Sequence, residues 1–233
     1  MGVPCFIAKN LARRLPLRVE ARRAARFFVP AMLLTLATML LPSTPAWALL
    51  NPLLMGQQVR SLDISPFTKW TSLMPRYEQQ RAQFRDDCVG KGCLNRQWEA
   101  LLRRLHGKPL HVKIEEVNRF FNAIRYMSDA DNYGTEDVWQ TPYEMMARGG
   151  DCEDYAIAKY ISLKRLGVPE NSMRILVVRD TNLDGTIHAM LEVKVGGAAQ
   201  ILDNQAKKVL PITHVFHYEP IFAINENEWW AYE

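Results

Sequence analysis

The apolar pattern of this chain changes period once, at Gly167-Val168-Pro169, and the change limits the folds open to it. Upstream, apolar residues recur at helical spacing: Leu94, Trp98, Leu101, Leu102 and Leu105, then Ile114, Val117, Phe120, Phe121 and Ile124. Side chains three and four apart share one face of a helix, so each set predicts an amphipathic helix facing a core. Ser65-Pro66 reads as the start of an earlier helix running to Phe84, with Pro75 kinking or splitting it. Asn51 to Ser65 reads as an irregular lead-in, and Asp129 to Gly134 as a polar loop. Thr141-Pro142-Tyr143-Glu144 is a capping box that opens a short helix to Arg148. Cys152 to about Leu166 is apolar nearly all round, which predicts a buried helix. Downstream the runs are short and rich in branched residues: Met173 to Arg179, Ile187 to Val195, Ala199 to Asp203 and Pro220 to Asn225. Turns at Asn182-Leu183-Asp184-Gly185 and Gly196-Gly197 separate the first three. Helices followed by an antiparallel meander predict an α+β domain.

The first 48 residues follow a different logic. Lys9, Arg13, Arg14, Arg18, Arg22, Arg23 and Arg26 face one acid, Glu20, and the apolar run Phe27 to Leu41 follows, then Pro42, Pro45 and Ala46-Trp47-Ala48. A basic region, a short apolar region and an A-x-A triplet predict a secretory signal, residues 1–48, cleaved after Ala48. The run is shorter than a spanning helix needs, and Pro30 interrupts it. The whole chain carries +4, from 29 Lys+Arg against 25 Asp+Glu. Taking seven basic and one acidic residue from these leaves 22 against 24, a net of −2 for residues 49–233. The basic balance belongs to the signal, so there is no case for a nucleic-acid binder. The remainder suits one exported domain.

Four cysteines become three after cleavage. Cys88 and Cys93 flank a glycine-containing loop that an oxidising compartment would close as a disulfide, although two free thiols are compatible with the spacing. Neither C-x-x-C spacing nor a histidine pair at zinc-finger spacing is present. Cys152 is then the odd thiol, in Gly149-Gly150-Asp151-Cys152-Glu153-Asp154-Tyr155. A helix N-terminus favours thiolate; the three acids oppose it unless a cation neutralises them.

A cysteine nucleophile needs a base and a group that orients the base. His188 lies near the start of the second strand and Asp203 at the end of the third, so antiparallel pairing can set them side by side. A core histidine and a strand-end aspartate read equally well from spacing alone. His214 and His217, in a proline-containing connection, read as surface residues. For the oxyanion hole, the Cys152 N–H and one side-chain donor are expected, with Trp139, Gln140 and Tyr133 upstream as candidates. Asp180 to Gly185 matches half of an EF-hand loop. Its twelfth position is Leu191 and strands flank it, so it reads as a hairpin turn. Trp229 and Trp230 read as core, or as an exposed apolar patch for a partner.

Gly-Asp-Cys-Glu-Asp-Tyr-Ala at 150–156, Ala158-Lys159-Tyr160, His188 and Leu202-Asp203-Asn204 resemble the bacterial transglutaminase-like cysteine proteases, and within them the LapG-type periplasmic adhesin proteases. The similarity runs from about Leu62 to Trp230. It implies a papain/transglutaminase-like core over residues 49–233, with Cys152 as nucleophile, His188 as general base and then acid, and Asp203 as the orienting carboxylate. It implies Ca²⁺ dependence, with Asp151 and Glu153 at the positions of the acidic residues implicated. Clustered carboxylates suit that hard cation, while an acidic first turn set for the helix dipole needs no metal. Asp154 is either a further ligand or a plain surface acid, and Asp131 and Asn132 are loop candidates. The implied function is cleavage of the N-terminal region of a large surface adhesin near paired alanines, which releases cells from a biofilm, with an inner-membrane cyclic-di-GMP receptor sequestering the protease. The alternatives are a transglutaminase or cell-wall amidase on the same fold, or a non-catalytic binding module.

Overall fold

The computed structural model describes residues 58–84 and 93–232. The expected signal segment and Cys88 lie outside them. Among the described residues, β1 (Gln58–Ser61) precedes six helices: α1 (Thr68–Gln83), α2 (Leu94–Leu105), α3 (Leu110–Asn122), α4 (Asp129–Tyr133), α5 (Pro142–Arg148) and α6 (Cys152–Arg165). Then follow β2 (Met173–Asp180), β3 (Thr186–Val195), β4 (Ala198–Leu202), β5 (Leu210–Pro211), β6 (Tyr218–Ile224) and β7 (Trp229–Tyr232). The strands make one antiparallel sheet in the order β1-β7-β6-β2-β3-β4-β5. The molecule is α+β, as the change of period predicts. Among the described residues no helix is long and apolar enough to cross a membrane.

Several local expectations change. Gln58–Ser61 is an edge strand on β7 rather than irregular chain; four mostly polar residues carry no period-two signal. Helix α1 begins at Thr68, because Ser65 is held in a turn by the Asp63 carboxylate, which accepts its N–H at 3.0 Å. Pro75 neither ends nor splits α1. The carbonyl it leaves without a donor is that of exposed Thr71, which water can satisfy. Asp129–Tyr133 is a short helix, capped by Ser128 and closed by Gly134 at φ 69°. Trp229 is buried and packs on Phe67, while half-buried Trp230 lies under the Arg174 guanidinium.

Helix α6 packs on β3 and β2 and is buried from Cys152 through Leu163. Its sheet partners Ala189, Leu191 and Val193 belong to the main core. Alternate residues Leu176, Val178, Met190 and Ile201 form a smaller core on the other face, with Ile212, Val215 and Tyr218. Burial on both faces explains the nearly continuous apolar run in β2. By the same alternation, His188 shares a face with Val178, its partner across the pair, and with Met190.

Candidate active site

The segment before α6 is shaped by close approach. Gly149 has φ 86°, and a Cβ there would come within 2.7 Å of the Arg125 carbonyl oxygen. A Cβ on Gly150 would come within 2.5 Å of Asp154 Oδ2. Gly150 instead bridges Tyr126, and its carbonyl accepts the Met127 N–H at 2.9 Å. Asp154 fills the space the glycine leaves. Its carboxylate accepts the N–H groups of Gln140 (2.8 Å) and Asp151 (3.2 Å) and the Gln140 side-chain amide. It is therefore neither a surface acid nor part of the acidic cluster described below, but a buried staple between two chain segments. Gln140 also donates to the Gly149 carbonyl (3.1 Å) and accepts from the Tyr133 hydroxyl (3.0 Å), while Trp139 donates to Asp137 (2.9 Å). The three upstream oxyanion candidates are thus committed elsewhere. The Cys152 N–H, at the first helical position, has no acceptor within the helix.

Cys152, His188 and Asp203 are 1%, 1% and 3% exposed. His188 Nε2 lies 2.9 Å from Asp203 Oδ1. That oxygen also accepts the Gln205 N–H at 2.9 Å, and Oδ2 accepts the Tyr218 hydroxyl at 2.7 Å. Burial acts to raise the Asp203 carboxyl, but the His188 charge and these hydrogen bonds outweigh it and hold Asp203 below the ordinary carboxylate range. A carboxylate on Nε2 fixes the imidazole proton there and leaves Nδ1 as the basic atom. Gln205 Nε2 lies 3.4 Å from Nδ1. Cys152 Sγ accepts the Ala189 N–H at 3.2 Å, which sets the sulfur against the residue after His188. His214 is exposed, and the His217 ring lies against that of Tyr218, centroids 4.0 Å apart and tilted by 48°; neither enters the site.

The expectation of an unpaired Cys152 is not met. Cys152 and Cys93 are both disulfide-bonded in this structure. A sulfur biased toward thiolate is also the one most readily oxidised, and an oxidised sulfur has no proton to share with His188. The Cys88–Cys93 pairing falls partly outside the described residues.

Asp129, Asp151 and Glu153 each offer a carboxylate oxygen to a buried cluster in which these atoms lie within 4.8 Å of one another. Asp129 Oδ1 and Asp151 Oδ1 have no hydrogen-bond partner, while the other Asp129 oxygen accepts the Val138 N–H. Burial, then the Asp151 charge, pushes Asp129 up to about 7. Burial and the neighbouring acids push Glu153 well above its ordinary range. Buried acids crowded within 4.8 Å of one another, with an oxygen of Asp129 and one of Asp151 left without a hydrogen bond, suit a hard divalent cation. Sequence reading missed Asp129; its signal was the Ser128 cap, which turns a polar loop into a helix. Asp131 is exposed and bonded to Ser128 at 2.6 Å, and Asn132 donates to the Gly149 carbonyl at 3.4 Å, so neither joins the cluster.

Two comparisons bear on this geometry. The sequence model of the bacterial transglutaminase-like cysteine proteinases matches residues 83–231. Calcium-bound LapG of Legionella pneumophila is 28% identical, with a TM-score of 0.56, covering 68% of this chain and 87% of that one. EGTA-treated LapG from the same organism is 27% identical, with a TM-score of 0.57, covering 69% and 86%. No curated protein matches the chain significantly. With that sequence model spanning most of the described residues and the fold shared with LapG, the chain belongs to the bacterial transglutaminase-like cysteine proteinases.

Proposed function

We propose that this proteinase is a periplasmic, calcium-dependent endopeptidase that cuts the N-terminal region of a large surface adhesin and so disperses a biofilm, held in check by an inner-membrane cyclic-di-GMP receptor. The observation that carries the catalytic reading is the buried His188–Asp203 pair beside Ala189, whose N–H meets Cys152 Sγ. Family membership, the likeness to a calcium-bound LapG and the secretory pattern of residues 1–48 support the rest.

With Cys152 reduced, Nδ1 of His188 takes the thiol proton, and the resulting thiolate adds to the scissile carbonyl. Asp203 stays ionised and stabilises the imidazolium that forms. The Cys152 N–H at the helix start would donate to the developing oxyanion. Collapse of the tetrahedral adduct breaks the C–N bond, and Nδ1–H protonates the leaving amine. Water, deprotonated by the same nitrogen, then hydrolyses the thioester and returns the proton to sulfur. Asp129, Asp151 and Glu153 would hold Ca²⁺, which neutralises like charges that oppose a thiolate.

The test incubates residues 49–233, in reductant, with an adhesin N-terminal fragment, with and without chelator. Two fragments in Ca²⁺, loss in chelator, and restoration by Ca²⁺ but not Mg²⁺ are expected. An intact fragment with ammonia release or cross-linking would point to amidase or transglutaminase chemistry. Cleavage by Cys152→Ala would end the nucleophile assignment.

A further inference from the structure

Asp203 has two oxygens, and the structure assigns them different partners. Oδ1 takes the imidazole and the Gln205 N–H. Oδ2 takes one donor, the Tyr218 hydroxyl. Tyr218 reaches this place from outside the strands that carry the pair. It opens β6, beyond β2, and shares with His188 the sheet face opposite α6. Its ring centroid lies 5.7 Å from that of His188, tilted by 32°, so one side chain touches both members of the pair. Tyr218 is buried, and the His217 ring lies beside its own, with centroids 4.0 Å apart. A phenol confined in this way cannot turn its hydroxyl to water. A carboxylate deprived of it would keep an unsatisfied buried oxygen and would rotate to recover a partner.

We propose that Tyr218 is a positioning residue for catalysis, which fixes the rotation of the Asp203 carboxylate and so the tautomer and aim of His188. The proposal rests on the cysteine-protease reading of this site. The same hydroxyl could serve only the smaller core, as one more satisfied buried group. The two roles differ in whether the effect of losing it depends on Asp203.

The experiment is a double-mutant cycle on residues 49–233, reduced and with Ca²⁺, comparing wild type, Tyr218→Phe, Asp203→Asn and the double variant. The readout is the rate of Cys152 alkylation by iodoacetamide at pH 7, which needs no knowledge of the natural substrate, with melting temperatures recorded alongside. Tyr218→Phe is expected to slow alkylation about tenfold in the wild-type background, the loss typical of one charge-assisted hydrogen bond. In the Asp203→Asn background it should do nothing further. Tyr218→Leu, which also removes the ring from His188, should lose at least as much when Asp203 is present. Equal losses in both backgrounds, or no loss at all, would overturn the proposal. If Asp203→Asn itself leaves alkylation unchanged, the triad reading fails first and takes the role of Tyr218 with it.

Discussion

Replacing Gly150 by alanine tests how the Cys152 segment is built. Its backbone does not adopt a positive φ, so the substitution carries no conformational penalty of that kind and acts through space alone. The added Cβ would meet Asp154 Oδ2 at 2.5 Å, Asp154 Cβ at 2.8 Å and Asp154 Cγ at 3.0 Å. The contact with Cβ matters most, because that atom sits on a buried helix and cannot swing aside. Either the segment lifts off α6 or Asp154 leaves its three N–H donors. Losing one or two charge-assisted hydrogen bonds, at about 1.5–3 kcal/mol each, sets the cost near 3 kcal/mol. For a domain of this size that is a fall in melting temperature of about 6–12 °C. Activity should fall more steeply than stability, since the displaced segment carries Asp151 and Cys152. Gly197→Ala is the control: φ is 86° but no atom lies within 4 Å of the new Cβ, so about 1 kcal/mol of backbone strain is expected and no loss of activity. Differential scanning calorimetry and cleavage assays on both variants decide the matter. A Gly150→Ala protein that melts no lower than Gly197→Ala and keeps its activity would refute the steric reasoning.

Three further outcomes follow from buried charges. Lys159 is fully buried with its Nζ 3.5 Å from the Leu202 carbonyl, and burial pushes the ammonium down to about 7 against the pull of Asp203. The folded state then binds fewer protons than the unfolded state between about 7 and 10.5, so stability should rise with pH there, by about 2–3 kcal/mol from pH 7 to 9. Urea midpoints should show this rise in wild type and not in Lys159→Met; parallel profiles would exclude it. Asp203, held below its ordinary range, contributes stability that is complete above the unfolded value near 4 and is lost as pH falls through the folded value. Asp203→Asn should therefore flatten the acid side of the urea profile, and an unchanged acid limb would contradict the hydrogen-bond geometry. Asp129→Asn should weaken calcium binding about tenfold or more by calorimetry, about 1.4 kcal/mol of the metal-linked stabilisation; wild-type affinity would remove Asp129 from the cation site.

Local chemistry in the sequence located most of the helices. The Leu94–Leu105 stripe, the Thr141 capping box and the glycine stop after the Cys152 helix each depend on contacts within a few residues, and each element lies where its pattern puts it. The edge strands β1 and β5, and the short strand β7 between β1 and β6, were not legible. Their pairing depends on partners far along the chain, as with Gln58 and Tyr232, and their residues alternate too briefly to register. Asp154 shows the same limit from another side. Its place in the first turn reads as a surface acid or a ligand, and only the approach of Gln140 makes it a buried staple.

By itself the sequence determined the succession of helices followed by strands, the helix that presents Cys152 and the concentration of acids around it, because periodicity, caps and composition act over short distances. Tertiary structure decided which groups share one site. It brought Asp129 to Asp151 and Glu153 through the bridge between Tyr126 and Gly150. It set Tyr218 on the far oxygen of Asp203 from beyond a neighbouring strand. It also withdrew Asp154, Gln140, Trp139 and Tyr133 from the chemistry by giving each a partner. Those assignments depend on sheet register and on burial, where a polar atom must find whichever partner the packing delivers, and no stretch of neighbouring residues encodes that choice.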